Sequence, residues 1–293
     1  MKRFVIGQFE KFDMEKQKRD FREHFWGIEA TQMNSLDEIE KLKAYIDENK
    51  ISLGIHFPLL NNQWKLRDPQ YLSKDKEIYE ASMNYMEREF ARAAEIHPEY
   101  ILLHYPKPVI LEDSVDWTPW RFSDSSEYYY ESEMDFDYFK AKSDSFFKLL
   151  SSLGESYGII PVIELDALNK YVYDTTLLEE LFEKYANVKI CLDFGRIHLQ
   201  ACIDKNIDEV KLIEKFGKYA HLVHLWNTKR DSNGHYPALK TLKPEEGWGN
   251  MEKLFGSLNE CNNNYRVLFE HKSQLISDEE LEECYKWIES LVG

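Results

Sequence analysis

Eight short runs of apolar, β-branched and aromatic residues recur along the chain, and helical periodicity follows each of them. The runs are Arg3–Gln8, Trp26–Thr31, Ile51–Phe57, Tyr100–Tyr105, Ile159–Leu165, Val188–Asp193, His221–Trp226 and Arg266–His271. They are almost continuously apolar rather than alternating, which is the pattern of parallel strands covered on both faces. Helix starts are written between them. Ser35 opens an amphipathic stretch with an acidic first turn, Thr175 or Thr176 precedes Leu177–Ala186, and Ser277 with Glu280 caps a last helix that reaches Trp287, Ile288 and Leu291. Eight strands with intervening helices over 293 residues predict one α/β domain spanning 1–293, a closed (β/α)8 barrel. The alternative is a doubly wound open sheet, but no glycine-rich phosphate loop follows any of the runs. The regular pattern lapses only at Lys107–Glu133, rich in Pro, Asp, Ser and aromatic residues, which is expected to form a long capping loop after the fourth strand.

Composition narrows the class of partner. With 43% apolar and 31% charged residues the chain has an ordinary globular make-up, and its formal net charge of −16 repels phosphate backbones, so no nucleic-acid partner is expected. Its four cysteines, Cys191, Cys202, Cys261 and Cys284, form no CxxC pair and read neither as a disulfide framework nor as a thiolate zinc site. No run approaches the roughly 18 to 20 apolar residues that span a bilayer, and the apolar N-terminal run is far too short for a signal peptide. The expectation is a cytoplasmic protein without a membrane partner; its oligomeric state is left open, a homo-oligomer included.

The candidate chemistry sits near the C-terminal ends of the strands. Strands three to eight carry His56, His104, Glu164, Asp193, His224 and Glu270 there, and with a period of two their neighbours at ±1 point outward. Those neighbours are apolar except His271. Three carboxylates buried together repel one another at a cost of several kcal/mol, and a divalent cation held by carboxylates and imidazoles removes the conflict. Removing one of the glutamates would, on this view, relieve repulsion in the metal-free protein.

The ordered series GIE (Gly27–Glu29), GIHFPL (Gly54–Leu59), LLHYP (Leu102–Pro106), VIELD (Val162–Asp166), CLDFG (Cys191–Gly195), HLWNTK (His224–Lys229) and LFEHK (Leu268–Lys272) resembles the xylose-isomerase-like TIM barrel superfamily over nearly the whole chain. That superfamily includes sugar and sugar-phosphate isomerases and epimerases as well as zinc-dependent apurinic endonucleases. The resemblance to its keto-sugar epimerase branch implies one divalent ion, zinc or manganese, held by Glu164, Asp193, His224 and Glu270. It also implies a small sugar-like substrate and acid/base roles for Glu164 and Glu270.

The chain departs from the family where a D-x-x-H pattern would place histidine. It has Arg196 there, with His198 two residues on, and Asp231 and His235 are spaced differently from the later Asp-x-His of the endonuclease branch. One metal is therefore expected rather than three. Further candidates for substrate contact are His56, His104, Arg196 and Arg230, with Trp117, Trp120, Trp226 and Trp248 for stacking or covering a sugar ring. A metal-dependent hydrolase, with His56 and His104 holding a second ion, and a ligand-binding barrel without turnover are the alternatives.

Overall fold

All eight apolar runs form strands, and they close in chain order. The computed structural model describes residues 2–61, 63–120, 122, 124–230 and 232–293. Its strands are β1 Phe4–Phe9, β2 Gly27–Thr31, β3 Ser52–His56, β4 Tyr100–Tyr105, β5 Ile160–Leu165, β6 Lys189–Asp193, β7 Ala220–Leu225 and β8 Arg266–Phe269. Each pairs in parallel with the next and β8 pairs with β1, so the sheet has no free edge and the doubly wound alternative is excluded. Asp231, one of the residues weighed for metal chemistry, lies outside the described residues.

Alternation divides the core as the sequence pattern requires. Val5, Leu102, Val162, Cys191, Leu222 and Leu268 fill the barrel interior, whereas Ile55, Phe57, Leu103, Tyr105, Ile163, Leu192, Val223 and Phe269 pack under the helices. Ser35 caps Leu36–Asn49, and Ser277 forms a reciprocal capping box with Glu280 at Asp278–Leu291. Thr176 precedes Leu177–Lys184 without a side-chain cap, the hydroxyl of neighbouring Thr175 accepting from Leu177 N instead. No helix among the described residues is long and apolar enough to cross a membrane.

The Lys107–Glu133 segment is more ordered than its composition implies. Val109–Leu111 pairs in parallel with Tyr128–Tyr130, and Val109, Leu111, Trp117 and Trp120 bury themselves against Ala167 and Leu199. The segment is a small satellite core seated at the C-terminal mouth beside β5 and the helix Phe194–Ile203.

Candidate metal centre and active site

Strand register delivers the polar residues to one end of the barrel. Asp193 lies beside His224 on neighbouring strands and His104 beside Glu164, while Glu270 follows β8 directly. Asp193 is also the N-cap of Phe194–Ile203: its Oδ1 accepts from Arg196 N at 2.9 Å, which aims the other oxygen inward. Glu164, Asp193 and His224 are fully buried, and Glu270 stands at the rim of a cavity of about 560 Å³. His224 Nδ1 is 3.0 Å from Glu164 Oε2 and 3.2 Å from Glu270 Oε2.

Each of these four residues keeps one buried atom with no hydrogen-bond partner: Glu164 Oε2, Asp193 Oδ2, His224 Nδ1 and Glu270 Oε2. Buried polar atoms are almost always satisfied; these four lie within ion-pair distance of one another or of Arg196 but form no hydrogen bond of good geometry, which leaves their lone pairs open to a further partner. Three carboxylate oxygens and an imidazole nitrogen are a donor set that suits a divalent cation. Among the described residues, donor atoms all within 4.8 Å of one another are found in Glu164/Cys191/His224, His56/His224/Glu270 and His56/His104/Glu164; Asp193 belongs to none of these groupings, although its strand neighbour His224 belongs to two.

The like charges share their strain unequally. Desolvation pushes the Asp193 carboxyl up, and the charges of Glu164 and Glu270 push it further, to about 7. Burial alone would raise Glu164 too, but the imidazoles of His224 and His104 hold it well below the usual carboxylate range. Against the same desolvation, His224 and His235 hold Glu270 at about 2. Repulsion in the metal-free protein therefore falls on Asp193. This corrects the expectation for the glutamates, because cations from neighbouring strands surround Glu164.

Two residues that sequence reasoning passed over complete the support of His224. Its Nε2 lies 3.3 Å from the carboxylate of buried Glu29, which also accepts from the Tyr100 hydroxyl at 2.7 Å. Tyr100 reaches Glu29 because position 54 is glycine; a Cβ there would lie 2.1 Å from the Tyr100 ring. A carboxylate on the far nitrogen fixes the tautomer of an imidazole ligand and raises its basicity. The inward alternation of β2 marks Glu29, and it is the last residue of the GIE motif, so a signal for it existed.

His56 and His104 reach the same mouth. His104 Nδ1 is 2.9 Å from Asp68 Oδ2 and its Nε2 is 3.5 Å from Glu164 Oε1, while His56 Nε2 is 3.6 Å from Glu164 Oε2. Asp68 comes from a loop whose Tyr71 stacks on Phe146 and donates to the His104 carbonyl. Lys107, wholly buried, lies 2.7 Å from Asp166 and 3.4 Å from Asp68. Arg196 is not the free anion hook that its position implied: its guanidinium lies 3.0 Å from Glu164, 3.1 Å from Asp166 and 3.3 Å from Asp193. In place of a histidine, the chain has set a permanent cation among its own carboxylates.

Trp120, Trp226, His56, Arg196 and Glu270 line the cavity; Trp117, Trp248 and Arg230 do not. Trp117 lies edge-on to Trp120 inside the satellite core and donates to the Glu112 carbonyl. Trp248 packs on Tyr236 under Lys229, and Arg230 is exposed. The two tryptophans of the cap should thus separate on replacement by Ala. Trp120→Ala is expected to raise KM by about tenfold or more, consistent with roughly 1.4 kcal/mol of lost contact. Trp117→Ala should chiefly lower Tm, by about 3 kcal/mol of stability, as for a buried aromatic truncation. Thermal melts and steady-state kinetics on both variants check this, and equal KM for Trp120→Ala and the parent would exclude Trp120 from the binding wall.

The closed parallel barrel gathers its buried carboxylates and imidazoles at the C-terminal mouth, the end at which barrel enzymes keep their active sites. The family model described as "Xylose isomerase-like TIM barrel" matches residues 21–291, and the chain belongs to that family. Among solved structures it is similar to a D-tagatose 3-epimerase-like protein (17% identity, TM-score 0.64, covering 99% of this chain and 96% of that one). It is similar also to the apo form of the 3-keto-D-glucoside 4-epimerase YcjR from E. coli (15%, 0.62, 99% and 100%). A third is the IOLI protein with a bound zinc atom (13%, 0.63, 99% and 98%). At these identities the likeness is one of fold. No curated protein sequence matches the chain.

Proposed function

We propose that this protein is a divalent-metal-dependent isomerase or epimerase acting on a small hydroxy ketone of the sugar type. The observation that carries the reading is the set of four orphaned buried atoms on Glu164, Asp193, His224 and Glu270, which we assign as the ligands of one zinc or manganese ion. Bound there, the ion would polarise a carbonyl and its neighbouring hydroxyl and acidify the proton on the carbon between them. The remaining work falls to the chain. Glu164, held ionised by His224 and His104, is poised to take that proton. Glu270 approaches from a strand three places further round the barrel and stands at the cavity edge, its side chain 29% exposed, where it can exchange a proton with water and return one to the opposite face. Trp120 and Trp226 supply apolar walls for a ring or carbon chain.

The similarity of fold to sugar epimerases supports this reading. The test is incubation of the metal-loaded protein with a panel of ketoses in D₂O, followed by mass spectrometry and NMR. Deuterium entering the carbon next to the carbonyl is the expected result, and its absence across the panel would overturn the assignment. One observation favours a hydrolase instead: His56, His104 and Glu164 form a second cation-sized group. Two tightly held ions per chain would favour that reading.

A further inference from the structure

Charge at the mouth of the barrel runs against charge over the rest of the chain. The protein has a formal net charge of −16, yet the cavity is lined by Lys16, Arg67, Arg196 and Lys272, against the carboxylates of Glu29 and Glu270. Two of these cations are already paired. Arg196 has three carboxylates within 3.3 Å, and Lys16 Nζ is 2.7 Å from Asp20. The two carboxylates are also engaged, Glu29 with Tyr100 and His224, and Glu270 with His224.

Arg67 and Lys272 are different. Neither has a carboxylate within ion-pair distance among the described residues, although acidic residues outnumber basic ones by 53 to 37. Both are exposed residues on the cavity wall, but Arg67 is anchored: its Nη2 rests 3.2 Å from both ring nitrogens of buried His56, which itself lies 3.6 Å from Glu164. A guanidinium has five N–H donors, and an imidazole edge occupies few of them. The charge of Arg67 is felt by buried Asp68, yet no carboxylate lies within ion-pair distance among the described residues, so a ligand's carboxylate or phosphate can take its fork in two parallel hydrogen bonds, which a neutral polyol cannot offer.

Resting on the epimerase reading, we propose that the substrate is an anionic hydroxy ketone, a sugar acid or sugar phosphate, whose carboxylate or phosphate is bound by Arg67, with Lys272 adding to the attraction. The overall negative surface repels such a ligand, so the recognition is local to the cavity, and salt should weaken it.

The experiment uses metal-loaded protein and ligand pairs that differ in charge: xylulose with xylulose 5-phosphate, and fructose with fructuronate. Affinity is read by thermal shift and calorimetry, and turnover by deuterium exchange. At least one anionic member should bind about tenfold or more tightly than its neutral partner. Arg67→Met should remove that preference and Lys272→Met should reduce it, with Tm of the unliganded variants kept. A preference confined to the phosphate or to the carboxylate identifies which anion is native. Equal or tighter binding of the neutral sugars, no binding of either anion, or an anion preference that survives Arg67→Met overturns the proposal. Exchange with neutral ketoses and no gain from the anion would leave the epimerase reading standing alone. Anion binding at Arg67 without any exchange would do the reverse.

Discussion

Glu164→Gln and Glu270→Gln should each lower kcat by at least about a hundredfold, since general acid/base groups contribute roughly 10²- to 10⁴-fold and each of these residues is also assigned as a metal ligand. Their effects on the metal-free protein should differ from one another and from Asp193→Asn. Glu164 is the anion on which His56, His104, His224 and Arg196 converge. Its carboxyl is held below its ordinary range, so the ionised form contributes stability above the unfolded pKa, and that stability is lost as pH falls through the folded value. Glu164→Gln should therefore lower the Tm of the stripped protein at pH 7. Asp193 has the opposite sign, raised to about 7 by burial and its acidic neighbours. It costs stability as pH rises from the unfolded value towards 7, so Asp193→Asn should leave the stripped protein as stable or more so. Melting curves of the three stripped variants between pH 5 and 8, beside kcat, test the assignment. A stripped Glu164→Gln protein more stable than the parent would show that the cations around Glu164 do not hold it as described.

Saturating the stripped protein with zinc or manganese should raise its stability by about 3 to 4 kcal/mol when free ion exceeds Kd by 100- to 1000-fold. For a chain of this size that is a shift in Tm on the order of 10 °C. The gain is expected because binding satisfies the four orphaned atoms and neutralises the carboxylates that burden Asp193. Plasma mass spectrometry should find one tightly held ion per chain. Glu29→Gln, which touches none of the other three proposed ligands, should weaken that ion by about 10- to 100-fold by loosening His224. A protein that neither holds an ion after purification nor melts higher with one added would remove the metal from this site.

The barrel and the six ionisable strand ends were legible because both depend on local alternation. A run such as Tyr100–Tyr105 must bury both faces, and the period of two then sends Leu102 and His104 inward and Leu103 and Tyr105 outward, whatever the loops do. Glu29 obeyed the same rule on β2. Asp68 did not, because it comes from a loop after β3 that is held against His104 by long-range contacts, among them the Tyr71–Phe146 stack between residues 75 positions apart, which no local pattern encodes. The tryptophans show the same division. Composition marked Lys107–Glu133 as unusual, but which face of that segment Trp117 and Trp120 take depends on Ala167 and Leu199 from two other loops and helices.

By itself, then, the order of residues determined a closed parallel barrel and the set of acids and imidazoles at its mouth, since strand pairing and side-chain alternation are short-range consequences of hydrophobic period. Only the tertiary structure decided how charge is shared among them: that Arg196 is held by Glu164, Asp166 and Asp193, that the strain falls on Asp193, and that Arg67 is left beside His56 without an acidic partner among the described residues. Electrostatic energies depend on distance and on exclusion of water, and both are set by loops and strands far apart in the chain.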